Sequence, residues 1–230
     1  RKTDIVSAMT KAFRLASDLE VSPRLPSEKI AGLMFSSRKR ESYDPDREPE
    51  LLLSHDENPR VQALAKKSRA GVIDGKPVSK NKVFQYRDAI FEASLHRFET
   101  DPTMVAYGEE NRDWGGAFAC YRGLTESLPY HRLFNSPISE AAIVGTACGY
   151  ALEGGRALVE LMYCDFMGRA GDEIFNQLAK WQSMSACILE MPVTLRVSVG
   201  SKYGAQHSQD WCALVNHIPG LKVVFPSTPY

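Results

Sequence analysis

Residues 141–162 read AAIVGTACGYALEGGRALVELM, and the two halves of this stretch carry different patterns. Ala141 to Leu152 is a run of small residues at helical spacing, whereas Ala157-Leu158-Val159-Glu160-Leu161-Met162 is a largely apolar run of strand length. A strand that lacks strict polar alternation is one covered on both faces, the usual situation in parallel sheets. Working outward, the same succession recurs. Upstream, Tyr86 to Phe98 sets Ala89, Ile90, Ala93, Leu95 and Phe98 near a helical period, and Met104-Val105-Ala106-Tyr107 follows as a strand. Downstream, Asp172 to Met184 places Ile174, Leu178 and Trp181 on one helical face, and Pro192 to Val197 and Leu221 to Phe225 read as two further strands. Helices alternating with buried strands predict an α/β fold with a doubly wound, mostly parallel sheet.

This pattern occupies residues 83–230. Residues 1–82 differ in character. Asp4 to Leu19 spaces Ile5, Met9, Ala12, Phe13, Ala16 and Leu19 as one amphipathic helix, and from Ser22 to Lys82 prolines, serines and charge runs read as a linker or extended arm. Within it, Arg38-Lys39-Arg40 is either a solvated patch or a docking site for a partner subunit. The chain opens without Met and stops soon after a strand-like run, so both ends read as boundaries inside a longer protein.

Twenty-eight Lys+Arg balance twenty-eight Asp+Glu, which gives no overall electrostatic case for nucleic acid or anionic lipid as partner. No apolar run reaches the roughly 20 residues that cross a bilayer, and the N-terminus begins no signal peptide. Five cysteines, odd in number and without a CxxC pair, predict reduced thiols in a cytoplasmic protein. No Cys/His pair has zinc-ligand spacing, so no metal site is expected.

Asn135-Ser136-Pro137-Ile138-Ser139-Glu140 sets a carboxylate at the first turn of the small-residue helix. Favourable interaction with the helix dipole would explain Glu140 without any chemistry. Gly145 and Gly149, however, each weaken that helix by roughly 1 kcal/mol relative to Ala, which implies that something approaches its backbone closely. His207 lies in the polar loop Gly204-Ala205-Gln206-His207-Ser208-Gln209, where an accessible imidazole is expected.

Taken together, Tyr86-Arg87-Asp88-Ala89-Ile90, Gly108-Glu109-Glu110, Arg122-Gly123-Leu124, Ser136 to Glu140 with Gly145 and Gly149, Ala205 to Gln209, and Pro219 to Val224 resemble the beta subunit of the decarboxylase component of 2-oxo acid dehydrogenase complexes. The resemblance covers about 150 residues and departs at Thr146, usually apolar, and at Ser198-Val199-Gly200, often a Gly-Pro turn. It implies the transketolase-like pyrimidine-binding domain and a thiamine diphosphate cofactor. Glu140 would then contact the aminopyrimidine ring, with Met162 and Phe166 as its apolar walls; the alternative, that they are ordinary core residues, weighs more for Met162 than for Phe166, which lies in a turn where a sheet ends. His207 would face the thiazolium side and assist proton or acyl transfer. Glu109 and Glu110 would lie near the pocket, or else be surface charge.

The family binds the diphosphate and magnesium through a Gly-Asp-Gly motif on another domain, and no such motif occurs here. The resemblance therefore implies half of a site, inactive alone. The missing half would be a diphosphate-binding, alpha-type domain or subunit, and residues 1–82 suggest a fused alpha–beta polypeptide. By the same resemblance, the family's C-terminal domain is expected to be absent from residues 1–230. The expected partners are that domain and a lipoyl-bearing transacylase, in a homo- or hetero-oligomer. Transketolase or deoxyxylulose-phosphate synthase shares the glutamate, but the Gln206-His207-Ser208-Gln209 loop argues against both. A non-catalytic scaffold that has kept the fold is the remaining alternative.

Overall fold

The computed structural model describes residues 2–24, 26, 29, 44, 46–67, 71–78, 84–200 and 203–229. It divides into two compact units, Arg1–Tyr43 and Asp44–Tyr230. In the first, helix α1 (Lys2–Ser17) has the expected amphipathic spacing and buries none of its residues. The Arg38-Lys39-Arg40 patch lies outside the described residues.

The second unit holds the sheet. Its strands β3 (Met104–Gly108), β4 (Leu133–Asn135), β5 (Arg156–Leu161) and β6 (Val193–Val197) are all parallel, in the order β4-β3-β5-β6. Side chains along a strand alternate between faces, and here both faces are covered. Met104 and Ala106 of β3 and Leu158 of β5 meet helix α3 (Tyr86–Thr100) through Phe91, Leu95 and Phe98. Tyr107 of β3 and Ala157, Val159 and Leu161 of β5 face helix α5 (Glu140–Leu152) through Ile143, Val144, Ala147 and Cys148. The near-continuous apolar strands follow from this double burial. Each fully buried Phe or Leu contributes roughly 1.5–3 kcal/mol.

Part of the stretch expected to be linker is folded onto this sheet. Helix α2 (Pro59–Lys66) starts at the fully buried Asn58, whose side-chain oxygen accepts from the backbone of Arg60 and Val61. The Asn58 amide donates to Gly123 O at 2.7 Å and Ser127 Oγ at 2.8 Å, binding α2 to the short helix α4 (Leu124–Ser127). Leu51, Val61 and Leu64 pack against the α3 face. Between α2 and α3 lies a two-stranded antiparallel hairpin, β1 (Gly71–Ile73) with β2 (Lys76–Val78).

One other expectation is corrected and one is refined. Leu221–Phe225 forms no strand: its residues pair with no neighbour, Val224 and Phe225 are exposed, and β6 remains the sheet's edge. A strand requires a ladder partner for its backbone groups, and only Leu221 of this run packs on the core. The helix expected from Asp172 to Met184 forms, but with a π-helical stretch, Glu173–Leu178, ahead of α6 (Ala179–Met184). Asp172 accepts from the side chains of both Asn176 and Gln177, gathering this widened turn around its carboxylate. The last helix, α7, spans Cys212–Asn216. Among the described residues no helix is long and apolar enough to cross a membrane.

Candidate functional site

The carboxyl ends of β3, β5 and β6 and the first turn of α5 converge at one edge of the sheet, the place where open α/β sheets take ligands. Gly108 ends β3 there. A Cβ on it would stand 2.7 Å from Glu160 O, so only glycine lets the two strands close up. Glu109 follows, half-buried, and Glu140 begins α5, half-buried after the Pro137 bend. Burial raises the Glu109 carboxyl above its ordinary pKa, and the neighbouring Glu140 charge pushes it in the same direction. Among the described residues neither carboxylate forms an ion pair, and the charge of each bears on the other. Glu110 contributes differently. It is exposed, takes a left-handed φ of 56°, and its carbonyl accepts from Trp114 N and Gly116 N, which makes it the hinge of the following loop.

Beside Glu140 lies an open cleft of about 200 Å³, walled by Tyr107, Phe134, Pro137, Ile143 and Thr146. Tyr107 and Phe134 stack with centroids 4.7 Å apart and planes 10° from parallel. Thr146, unusual for the family that the sequence resembles, has a local reason to be polar. Its hydroxyl sits 2.7 Å from that of Tyr107, whose ionisation is pushed up by burial.

A second cluster forms after β5 and β6. Tyr163 and Phe166 come from the 3-10 segment that follows β5, and His207 from the turn Ala205–His207. The His207 ring stands edge-on to Tyr163 at 4.8 Å and to Phe166 at 5.4 Å. Its Nδ1 lies 3.2 Å from Tyr203 O, a carbonyl that can only accept, so the tautomer protonated at Nδ1 is the one that satisfies this contact. Met162 is half-buried just past the end of β5. The structure thus groups Glu109 with Glu140, and Phe166 with His207 and Tyr163; Tyr163 was not singled out by the sequence.

The sequence reading also passed over Glu160 and Arg196. They face one another in the β5–β6 register as a buried ion pair, with Glu160 only 1% exposed. The signal was a single charge inside each of two apolar strands, which burial permits only if the charges pair. Asn111, entirely buried against Gly108, was passed over too; neither of its amide atoms has a hydrogen-bond partner.

The features the aminopyrimidine of thiamine demands are a carboxyl able to carry a proton near neutrality and flat apolar faces. Burial shifts Glu109 toward holding a proton to higher pH, beside Glu140, and the Tyr163–Phe166 cluster supplies flat apolar faces.

The profile of the transketolase pyrimidine-binding domain family matches residues 82–230. The beta subunit of acetoin:2,6-dichlorophenolindophenol oxidoreductase from Cupriavidus necator is 44% identical over 154 residues, covering 62% of this chain and 45% of that protein. The 2-oxoisovalerate dehydrogenase beta subunit of Pseudomonas aeruginosa is 36% identical over 134 residues, 57% of this chain and 38% of its own length. The mitochondrial pyruvate dehydrogenase beta subunit of Chaetomium thermophilum is 36% identical over 170 residues, 73% and 43% respectively. The chain spans less than half the length of these curated relatives.

Proposed function

Since the chain belongs to the transketolase pyrimidine-binding domain family, we propose that it is the aminopyrimidine-binding half of a thiamine-diphosphate-dependent dehydrogenase acting on a 2-oxo acid or on acetoin. The observation that carries this reading is the pair of half-buried carboxyls, Glu109 with its raised pKa and Glu140 at the start of α5. When bound, the cofactor supplies a carbon nucleophile for the substrate carbonyl and an electron sink for the bond that breaks.

The chain's own residues do the rest. Glu140 holds a hydrogen bond to the pyrimidine ring and exchanges a proton through its carboxyl oxygen. Glu109, with its raised pKa, retains a proton to higher pH and limits the charge of the pair. Tyr163 and Phe166 exclude water, with Met162 at the end of β5 completing the apolar side. His207 takes or gives a proton at Nε2. Diphosphate and magnesium belong to an alpha-type domain or subunit, since this chain has no Gly-Asp-Gly, and a lipoyl-bearing transacylase receives the acyl group. The half-site requires both of these halves, within one polypeptide or in an oligomer. Its free thiols suit a cytoplasmic setting.

The test is reduction of an artificial electron acceptor by the full-length protein with its diphosphate-binding partner, using pyruvate, branched-chain 2-oxo acids and acetoin in turn. Turnover with at least one substrate, strictly dependent on thiamine diphosphate, is expected. Inactivity with every substrate would overturn the assignment in favour of a scaffold.

A further inference from the structure

The loop between Glu110 and α4 is held in a conformation that its sequence does not favour. Gly115 and Gly116 have φ of 88° and 66°, and then Phe118 and Ala119, with side chains, take 58° and 57°. A bulky L residue rarely enters the left-handed region, and where it does the surroundings over-determine it. Three charged side chains do so here. Glu160 Oε1 accepts from Ala117 N at 2.6 Å, while Arg196, paired with Glu160, donates from Nη2 to Ala117 O at 3.1 Å. Both sides of the residue preceding Phe118 are thereby gripped by one buried ion pair. From the opposite direction Arg60, of α2, donates from Nη1 to Ala119 O at 3.1 Å and Cys120 O at 3.3 Å. Arg60 is itself fixed by Asp88 and lies over the Phe91 ring. At Gly116 a Cβ would fall 2.6 Å from the Tyr121 ring and 2.7 Å from Glu160 Oε1, so the clamp closes only around glycine.

The product of this clamp is an aromatic ring left 51% exposed at the carboxyl edge of the sheet. Phe118 stands edge-on to Tyr163 at 6.5 Å, and Tyr163 edge-on to His207 at 4.8 Å. The three rings form a row that ends at the imidazole. We propose that Phe118 is the wall limiting the substrate's side chain on the His207 side, and that Glu160, Arg196 and Arg60 are positioning residues that hold it there. This rests on the functional reading above, with the substrate a 2-oxo acid whose apolar side chain meets the Phe118 edge.

The experiment uses the full-length protein with its diphosphate-binding partner and straight-chain 2-oxo acids of increasing length. Because Phe118 is half-exposed, Phe118→Ala should fold normally, which thermal unfolding checks. Its kcat/KM ratio for long over short substrates should rise about tenfold, the discrimination one or two methylenes give in an apolar pocket. Glu160→Gln should raise the same ratio in the wild-type background but not in the Phe118→Ala background. Hydrogen exchange in the peptide 115–121 should quicken in Glu160→Gln irrespective of turnover; where that variant does not fold, Arg60→Lys loosens the loop from its other side and should shift exchange and ratio likewise.

An unchanged ratio in Phe118→Ala, with cofactor-dependent turnover intact, overturns the inference and leaves the functional reading standing. So does a variant that weakens only assembly with the partner, since Phe118 would then be an interface residue. Wild-type protein without any cofactor-dependent turnover would sink the functional reading instead.

Discussion

At the two ends of the same parallel sheet, carboxylates meet different surroundings. At the amino ends of the strands, Arg132 donates to Asp101 O at 2.6 Å, Met104 O at 3.3 Å and Glu50 O at 3.0 Å, and its guanidinium covers the Phe98 ring. Asp101 is bound by Arg156 at 2.8 Å and Arg97 at 3.2 Å. Burial alone would raise its pKa, but hydrogen bonds from Thr103 and Arg156 and the Arg97 charge outweigh burial and lower it. At the carboxyl ends, Glu109 is raised by burial and by the charge of Glu140, neither acid has an ion pair among the described residues, and Asn111 is buried with no hydrogen-bond partner among them. The amino end satisfies its charges and serves stability. At the carboxyl end the Glu160–Arg196 pair is matched, but Glu109, Glu140 and Asn111 are left without ion pairs or hydrogen-bond partners among the described residues, a cost that a ligand-binding edge tolerates because such groups can meet something else.

The contrast is most easily broken at Arg132. Arg132→Met removes three carbonyl partners at once and uncovers Phe98, so a loss of about 3–5 kcal/mol in denaturant unfolding is expected, as when one member of a buried charged network is deleted. A cost below about 1 kcal/mol would mean that the amino-end cluster is not structural.

Asp101→Asn should cost less, about 1–3 kcal/mol, and should also change the response to acid. A lowered carboxyl stabilises the fold above its unfolded pKa of 3.8 and loses that contribution as pH falls through its folded value. The variant should therefore show a shallower loss of stability on acidification.

Glu109→Gln sharpens the comparison because its sign is opposite. A raised carboxyl favours the fold below its ordinary value of 4.5, and that contribution is lost as pH rises through the folded pKa. Thermal unfolding of Glu109→Gln should depend less on pH above that value, with stability near neutrality equal to or slightly above wild type. A variant markedly less stable at neutral pH would show that Glu109 has a structural partner after all.

Thr146→Val, which removes the hydroxyl beside Tyr107, should cost about 0.5–1.5 kcal/mol in denaturant unfolding, less than either change at the amino end.

Much of this architecture was legible in the chain. The apolar run Ala157 to Met162 and the small-residue helix before it declared a parallel sheet covered on both sides, because double burial erases polar alternation. Glu140 was legible as an acid at a helix start. What escaped the sequence depends on partners distant along the chain. Asn58 holds α4 across 65 residues and Arg60 holds Ala119 across 59, and no local period records such bonds. Leu221–Phe225 has strand composition but no ladder partner, so composition alone misled. Glu160 and Arg196 were visible as isolated charges in apolar strands, yet only the register of β5 on β6 joins them.

The most direct test of the carboxyl-end assignment is deuterium exchange at the thiazolium C2 of thiamine diphosphate bound to the full-length protein with its partner, wild type against Glu140→Gln. We expect the variant to bind cofactor and to exchange at least about a hundredfold more slowly, the scale of one lost general acid–base contribution. Exchange at the wild-type rate with cofactor bound would contradict the role given to Glu140.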